Sequence, residues 1–197
     1  MIAIIDSGGA NIASVQFALE RLGAQSVLTR NAAEIVAADR VLLPGVGAGP
    51  VAMKALCDAQ LIEPIRQLRQ PVLGICLGMQ LLFGRSYEGD TDLLGILDGA
   101  CHAFTPEDGR SVPHMGWNRL HPTTTHPLLA GLEDGSYVYF VHSYYVPVND
   151  ATIATCNYGQ DFTAISAKNN FFGCQFHPER SGLVGARILQ NFLEMPL

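Results

Sequence analysis

The chain has 197 residues, of which 48% are hydrophobic and 15% are charged. These values exclude a disordered protein and predict one domain, residues 1–197, with a substantial apolar core. The formal net charge is −6 and Lys and Arg form no run, so neither a nucleic-acid groove nor an anionic membrane is indicated as a partner. Asp6 interrupts the apolar N-terminus before a signal-peptide core forms, and no apolar stretch is long enough to cross a bilayer, so we expect a cytoplasmic protein.

The first half of the chain alternates short apolar segments with segments of helical periodicity, an order typical of a parallel sheet covered by helices. The segment Ile2 to Ile5 predicts a buried strand. Apolar residues from Ile12 to Leu22 then recur at helical spacing, with Gly23 at the helix end. The other elements of this half are predicted as strands at 27–29, 40–43 and 71–75, a helix opened by Pro50 and a helix at 77–83.

The second half, from about Cys101, is richer in β-branched and aromatic residues and has few helical segments. It predicts strands at 136–141, 152–156 and 171–176, followed by an amphipathic helix from Val184 to Leu193. A run of strands with few helices between them favours antiparallel pairing. We therefore predict an α/β fold with a mixed central sheet, parallel in the first half and partly antiparallel in the second.

The five cysteines are odd in number and irregularly spaced, without a CxxC pair, so the sequence indicates neither a disulfide scaffold nor a zinc site. We expect no metal ion and no cofactor. Cys76 differs from the others because of its neighbours. The remaining four are most simply small buried hydrophobic residues in a reducing compartment: Cys57, Cys101, Cys156 and Cys174.

Cys76 lies in the segment Gly74-Ile75-Cys76-Leu77-Gly78, which has the spacing of a nucleophile elbow with sulfur in place of a hydroxyl. In such an elbow the nucleophile occupies a tight turn between a strand and a helix, and the flanking glycines lack the Cβ atoms that would collide there. The helix N-terminus that follows favours the thiolate, which is the attacking form of cysteine. The alternative is a core cysteine followed by a helix that begins with Leu-Gly, since short motifs are weak evidence.

A cysteine that attacks an amide needs a base that takes its proton and later protonates the leaving nitrogen, and this base is usually histidine. His177 follows an apolar segment, and Glu179 follows it two residues later. Glu179 can hold one ring nitrogen while the other faces Cys76; the alternative is a surface histidine at a strand end. Five other histidines have no adjacent carboxylate that would obviously orient the ring: His102, His114, His121, His126 and His142.

A glycine-rich loop, Pro44-Gly45-Val46-Gly47, follows a predicted strand parallel to the one that ends at Cys76. Backbone N–H groups in such a loop can stabilise the oxyanion that develops during acyl transfer. Taken alone, the loop is more simply an ordinary strand-to-helix connection. The loop indicates an acyl-transfer site only in combination with Cys76 and His177.

These segments together resemble the triad, or class I, glutamine amidotransferases, and most closely the branch that supplies the glutaminase subunit of imidazole glycerol phosphate synthase. The resemblance covers nearly the whole chain. The pattern of Cys76 and His177 to Glu179 identifies the superfamily, and residues 113–118 and 140–144 suggest the histidine-biosynthesis branch. The matching segments, in order, are LPGVG at 43–47, GICLGMQ at 74–80, PHMGWN at 113–118, FVHSY at 140–144 and QFHPERS at 175–181.

The resemblance implies a three-layer, flavodoxin-like fold and a reaction that releases glutamate and ammonia from glutamine. It implies that Cys76 attacks the side-chain amide, that His177 carries the proton and that Glu179 orients His177. It further implies an oxyanion hole formed by the backbone N–H groups of Gly47 and Leu77, and a glutamine site that includes Gln80, Ser143 and Tyr144.

The resemblance also implies a heterodimer, in which ammonia travels to a separate cyclase subunit that makes imidazole glycerol phosphate and aminoimidazole carboxamide ribotide. Because the amidotransferase fold accounts for the whole chain, we expect the cyclase as a separate chain. Asn11, Trp117 and Arg180 resemble positions near the subunit interface. The first turn, DSGGAN at 6–11, departs from the Asp-Tyr-Gly-x-Gly-Asn of many members, and this displaced glycine affects the role expected for Asn11.

Three other functions are compatible with parts of this pattern. The triad does not distinguish a glutaminase that serves purine, pyridoxal phosphate or anthranilate synthesis. A cysteine peptidase or hydrolase on a related scaffold shares the elbow, but Gln80 and the carboxylate of Glu179 disfavour it. An inactive, metabolite-sensing interaction subunit predicts a damaged triad, whereas Cys76, His177 and Glu179 are all present.

Overall fold

The computed structural model describes residues 1–8, 12–107 and 110–196. Over these ranges, no helix is both long enough and apolar enough to span a membrane. The helices are α1 (Ile12–Arg21), α2 (Ala32–Ala37), α3 (Gly49–Asp58), α4 (Ile62–Arg66), α5 (Leu77–Leu81) and α6 (Gly182–Glu194). The strands are β1 (Ile2–Ile5), β2 (Ser26–Thr29), β3 (Arg40–Gly45), β4 (Val72–Cys76), β5 (Arg85–Ser86), β6 (Thr91–Asp92), β7 (Ala100–Ala103), β8 (His114–Pro122), β9 (Ser136–His142), β10 (Tyr144–Tyr145), β11 (Thr152–Asn157), β12 (Asp161–Lys168) and β13 (Phe171–Cys174).

The central sheet has nine strands among the described residues, in the order β2-β1-β3-β4-β13-β12-β11-β8-β9. The strands from β2 to β13 in this order are parallel. Each later neighbouring pair is antiparallel. The prediction of a mixed sheet, parallel in the first half and partly antiparallel in the second, is confirmed. The short strands β10, β7, β5 and β6 form a second, smaller sheet in that order.

Helices cover both faces of the parallel strands. Ile4 of β1 belongs to an apolar cluster with Leu19 of α1 and Phe192 of α6. Its neighbour Ile5 belongs to a second cluster, with residues of α2, α3 and α4 that include Leu56. Because successive side chains of a strand point to opposite faces, an uninterrupted apolar strand buries both of its faces. The result is the expected three-layer arrangement.

The antiparallel part of the sheet curls back over the parallel part. Five inter-strand steps separate β4 from β9, which in a flat sheet correspond to about 24 Å. The carbonyl oxygen of Val141 in β9 nevertheless lies only 3.7 Å from the sulfur of Cys76 at the end of β4. The N–H of His177 also donates to the carbonyl of Tyr139 in β9, at 3.0 Å. This curl brings the far end of the sheet to the nucleophile.

The structure differs from the predicted elements at several points. The strands β8 and β12 belong to the central sheet but were not among the predicted strands. The helix predicted at 77–83 ends at Leu81, because the N–H groups of Leu82 and Phe83 bond to carbonyls three residues earlier and tighten the last turn. The strand predicted at 171–176 ends at Cys174, because the chain then passes from β12 to β9: the N–H of Gln175 still donates to Ala164 of β12, whereas that of His177 donates to Tyr139 of β9.

Candidate active site

Cys76 occupies a strained turn between β4 and α5. Its φ is 54° and its ψ is −112°, a combination that residues other than glycine rarely adopt. Its side chain lines an open cavity although most of the residue surface is covered, since the exposed fraction is 7%. The sulfur therefore stands at the carboxyl end of a parallel strand and at the start of a helix, as the elbow spacing predicts.

The glycines of the elbow are required by close backbone contacts. A Cβ on Gly78 would lie 1.6 Å from the carbonyl oxygen of Leu43 in β3. A Cβ on Gly74 would lie 2.5 Å from the carbonyl oxygen of Gly78, and one on Gly45 would lie 2.8 Å from the Gly78 nitrogen. The ends of β3 and β4 and the first turn of α5 thus approach one another more closely than side chains allow.

His177 and Glu179 lie in the segment that follows β13. Nδ1 of His177 is 2.8 Å from Oε1 of Glu179, and the His177 side chain also hydrogen bonds to Cys76. Burial lowers the pKa of His177, but the hydrogen bonds and negative charges of Cys76 and Glu179 outweigh burial and raise this pKa to about 10. The structure thus brings the three predicted triad residues together.

Ser181 fixes the segment that carries the triad histidine. Its hydroxyl donates to the carbonyl of His177 at 2.7 Å and accepts from the N–H of Tyr139 in β9 at 2.9 Å. Together with the bond from the His177 N–H to the Tyr139 carbonyl, these contacts tie the turn to the curled strand. The position of His177 therefore depends on β9 as well as on β13.

The glycine-rich loop after β3 lies beside the nucleophile. Gly45 is the register partner of Cys76 in the parallel pairing of β3 and β4. Gly47 has a φ of +90°, a conformation that glycine adopts at little cost. Gly47 and Leu77 line the same cavity as Cys76. The structure therefore brings the two residues predicted for the oxyanion hole to the cavity that Cys76 lines.

The cavity in front of Cys76 has a volume of about 300 Å³, which is sufficient for a small polar molecule. Gln80, Ser143 and Tyr144 all line it, so the structure brings together the residues predicted to hold glutamine. The Gln80 amide nitrogen donates to the carbonyl of Tyr144 and to Oε1 of Gln175, both at 2.9 Å. These two bonds use both amide hydrogens, so Gln80 can meet a ligand through Oε1.

Glu88 is a cavity residue that no sequence motif indicated. Its Oε2 accepts a hydrogen bond from the N–H of Gly49 at 2.7 Å, which holds the carboxylate near the opening of α3. A carboxylate at the wall of a cavity that fits an amino acid can pair with its ammonium group. Glu88 lies in a short 3₁₀ turn outside the segments that resemble the family. The sequence therefore gave no sign that Glu88 lines the cavity.

Histidines outside the triad take part in a surface pair and in a buried pair. His121 has a carboxylate partner that is not adjacent in the sequence, because its Nδ1 lies 2.7 Å from Oδ1 of Asp134. This pair is on the surface, with exposed side-chain fractions of 45% and 76%. Its two residues are 13 positions apart in the sequence. His114 and His142 instead form a buried pair, with Nδ1 of His114 2.9 Å from Nε2 of His142, and His142 lines the cavity.

The other four cysteines are unpaired thiols outside the cavity lining. Cys101, Cys156 and Cys174 are buried, whereas Cys57 is exposed, so the prediction that all four are buried is wrong at Cys57. Burial raises the pKa of Cys101 and of Cys156 to about 12 and therefore keeps both protonated. In the described ranges, no three His, Cys, Asp or Glu side chains form a group that could hold a metal ion.

Two of the three residues predicted at a subunit interface lie on one surface. Trp117 on β8 is 55% exposed, and its ring centroid lies 6.0 Å from that of Tyr139. The guanidinium of Arg180 also stands over the Tyr139 ring, 4.6 Å from its centroid. Asn11, the third predicted residue, lies outside the described residues.

The sequence of this chain is similar to those of bacterial imidazole glycerol phosphate synthase subunits. It is 54% identical over 194 residues to the imidazole glycerol phosphate synthase subunit HisH of Xanthomonas axonopodis pv. citri (strain 306), covering 98% of this chain and 97% of the relative. It is 53% identical, with the same coverage, to the protein of the same name from Xylella fastidiosa (strain Temecula1 / ATCC 700964).

Solved structures share the fold at much lower sequence identity. One is described as a glutamine amidotransferase, with a TM-score of 0.76, 18% identity and coverage of 98% of this chain and 97% of that chain. Another, a chain in a structure of PurLQS from Thermotoga maritima, has a TM-score of 0.71, 20% identity and coverage of 98% and 96%. The family model for class-I glutamine amidotransferases matches residues 3–195. By this match and by its close relatives, the chain belongs to the class I glutamine amidotransferase family.

Proposed function

We propose that this chain is the cytoplasmic glutaminase subunit of an imidazole glycerol phosphate synthase, formed as one amidotransferase domain over residues 1–197. The observation that carries the proposal is the contact of Cys76 with His177 and of His177 with Glu179, at the wall of a cavity of about 300 Å³. The 54% identity to relatives of that name supports the choice of synthase.

The first half of the proposed reaction forms a thioester. The Cys76 sulfur attacks the side-chain amide carbon of glutamine, and the carbonyl oxygen becomes an oxyanion that the N–H groups of Gly47 and Leu77 stabilise. The protonated ring of His177 then gives its proton to the leaving nitrogen, and ammonia departs. Glu179 stabilises the charged ring and holds it in the required orientation through Nδ1.

The second half releases glutamate. The neutral His177 ring takes a proton from water, and the resulting hydroxide attacks the thioester carbon. When the tetrahedral intermediate collapses, the sulfur leaves as thiolate beside the His177 ring, which the proton from water has already charged, and the new side-chain carboxyl group loses its proton to solvent. The pair returns to its starting state, which agrees with the raised pKa of His177 in the structure.

The proposed partner surface is the outward face of β8 and β9. Met115, Trp117 and Tyr137 are 65%, 55% and 50% exposed, and the register of the two strands places them on one face with Tyr139. Contiguous exposed apolar side chains of this size are typical of an interaction site. We propose that the cyclase subunit binds this face, next to Arg180, and receives ammonia there as part of a heterodimer.

We expect the isolated chain to hydrolyse glutamine slowly, because a subunit that makes ammonia for a partner wastes glutamine when it works alone. Addition of the cyclase and its phosphoribosyl-formimino carboxamide nucleotide should raise glutamate release by about 10- to 100-fold. The measurement is glutamate release together with imidazole glycerol phosphate formation, with the cyclase and the nucleotide each omitted in turn. Full activity of the chain alone contradicts the coupling, and glutamate release without imidazole product contradicts the pathway.

We also propose that Glu88 binds the ammonium group of glutamine. The substitution Glu88→Gln keeps an oxygen that can accept from the Gly49 N–H and removes only the charge. The KM for glutamine should rise by about 10- to 100-fold, while kcat changes much less, because the ammonium group does not react. The control Glu63→Gln removes an exposed carboxylate that pairs with Arg66 on α4 and should leave KM unchanged. An unchanged KM in Glu88→Gln contradicts the assignment.

A further inference from the structure

Gln175 is a buried polar residue whose side chain reaches the nucleophile. It lies immediately after β13, and its exposed fraction is 0%. Its Nε2 is 3.8 Å from the sulfur of Cys76, within hydrogen-bonding distance for sulfur, and acts as the donor. This glutamine begins the QFHPERS segment at 175–181, but its position in that segment predicted no role for it.

The orientation of the Gln175 amide is determined by its other contact. Its Oε1 accepts from Nε2 of Gln80 at 2.9 Å. Gln80 cannot be rotated the other way, because its Nε2 also donates to the carbonyl of Tyr144, and a carbonyl only accepts. The amide nitrogen of Gln175 is therefore the group that faces Cys76.

The Tyr144 carbonyl accepts a second hydrogen bond, from Nδ1 of His142 at 2.8 Å. Since this carbonyl is an acceptor, Nδ1 of His142 carries a hydrogen and its Nε2 accepts from Nδ1 of His114. Nε2 of His114 then accepts from the amide nitrogen of Asn118 at 3.2 Å. In this series Asn118 donates to His114, His114 donates to His142, and His142 donates to the Tyr144 carbonyl. Both histidines are therefore neutral with the hydrogen on Nδ1.

The surroundings of the two histidines favour the neutral form. The rings of Phe104, Phe140 and Phe162 surround both imidazoles. Burial lowers the pKa of His114 to about 4 and that of His142 to about 3. The ionisable groups that face the pair are Tyr158, which stacks on His114 at 4.0 Å, and the protonated His177, which repels a charge on His142.

The other contact of the Cys76 sulfur shows why a hydrogen-bond donor beside it stabilises the thiolate. The carbonyl oxygen of Val141 lies 3.7 Å from the Cys76 sulfur and accepts from the thiol. Once the sulfur is a thiolate, this oxygen repels it, because the negative end of the carbonyl dipole faces the charged sulfur. A donor from Gln175 offsets that repulsion from another direction and holds the sulfur where His177 can reach it.

We propose that Gln175 is a further catalytic residue, which donates a side-chain N–H to the Cys76 thiolate, and that Gln80, His142 and His114 are positioning residues that keep this donor aimed at the sulfur. The proposal rests on the glutaminase function proposed above and extends the catalytic group beyond the triad. It connects the nucleophile to Asn118, next to Trp117 on the proposed partner surface.

The test measures the reaction of the Cys76 thiolate with iodoacetamide in the purified chain, by mass spectrometry of the Cys76 peptide. Gln175→Met preserves the length of the side chain and removes the donor. At pH 7, alkylation of Cys76 should slow about tenfold, because a hydrogen bond to a charged group contributes roughly this factor. Gln175→Glu places a carboxylate beside the sulfur and should react more slowly than Gln175→Met at pH 7.

The controls separate loss of the donor from damage to the fold. Gln190→Met makes the same chemical change in α6, where the side chain bonds to Glu194, and should leave alkylation of Cys76 unchanged. Exposed Cys57 should react equally fast in every variant. An unchanged rate at pH 7 in Gln175→Met overturns the proposal. A Gln175→Glu variant that reacts as fast as Gln175→Met also overturns it, because the rate then follows packing rather than the polarity of the group beside the sulfur. Neither readout requires glutamine or a partner, so failure of the proposed function is detected separately.

The positioning role has a spectroscopic test. Long-range ¹H–¹⁵N correlation spectra of the histidine-labelled chain at pH 7 should show His114 and His142 as neutral rings with the hydrogen on Nδ1, although free imidazole side chains favour Nε2. His114→Phe keeps a ring among the aromatic side chains and removes the donor to His142. In this variant His142 should no longer be held with its hydrogen on Nδ1, and alkylation of Cys76 at pH 7 should slow. The surface control His121→Phe should show neither change. A ring of His142 protonated at Nε2 in the wild type overturns the assignment.

Discussion

Cys76→Ala is expected to lower glutamine hydrolysis by at least about 10⁴-fold, because no other thiol lines the cavity among the residues that the structure describes. Alanine retains a Cβ, so the strained turn at φ 54° is equally demanding for both residues, and the chain should remain folded. The measurement is glutamate release in the presence of cyclase and nucleotide, with circular dichroism to compare the thermal unfolding of the variant and the wild type.

The matched control is Cys156→Ala, which removes a buried thiol from β11, away from the cavity. This variant should lose some stability through the small void it leaves and should retain its glutaminase activity. If Cys76→Ala still turns over glutamine at a rate near that of the wild type, Cys76 is not the nucleophile and the thioester mechanism is wrong.

Gly78→Ala is expected to destabilise the chain by more than about 4 kcal/mol, or to prevent folding, because its Cβ would stand 1.6 Å from the Leu43 carbonyl oxygen. An ordinary glycine within a helix behaves in the opposite way, since alanine there stabilises by about 0.5–1 kcal/mol. The sign of the change therefore distinguishes the elbow from a simple helix start. The measurement is the free energy of unfolding from denaturant titration.

Gly84→Ala provides the comparison, because the nearest atom to its Cβ would be the Gly99 carbonyl oxygen at 3.3 Å, which requires only a small adjustment. It should fold and retain most of its activity. A Gly78→Ala variant with unchanged unfolding free energy would show that β3 and α5 do not approach as closely as the structure describes.

The parallel half of the fold was predictable from periodicity because each of its elements has a strong local pattern. Ile2–Ile5 is an uninterrupted apolar strand, and α1 begins at Ile12 as the helical spacing predicts. The strand β8 was missed because only His114 and Leu120 of its nine residues are buried and because it includes histidine, glycine and proline, so it has no apolar run. The short strands of the second sheet have two to four residues each among those described, too few for any period to be seen.

The candidate site was predictable where its residues are close in sequence. His177 and Glu179 are two residues apart, and Gly74 and Gly78 flank Cys76, so spacing indicated their roles. Glu88 and the contact between Gln175 and Cys76 had no such signal, because each depends on where a distant part of the chain passes.

Local sequence patterns were sufficient to predict the order of the strongly patterned strands and helices, the elbow and the pairing of His177 with Glu179, because these depend on steric and hydrogen-bonding preferences over a few residues. The curl of β9 toward Cys76 and the hydrogen bond from the Gln80 amide to Gln175 became visible only in the folded chain. These contacts join residues 65 and 95 positions apart. They depend on the twist and closure of a whole sheet and on the complete set of donors and acceptors in its interior, which no local pattern contains.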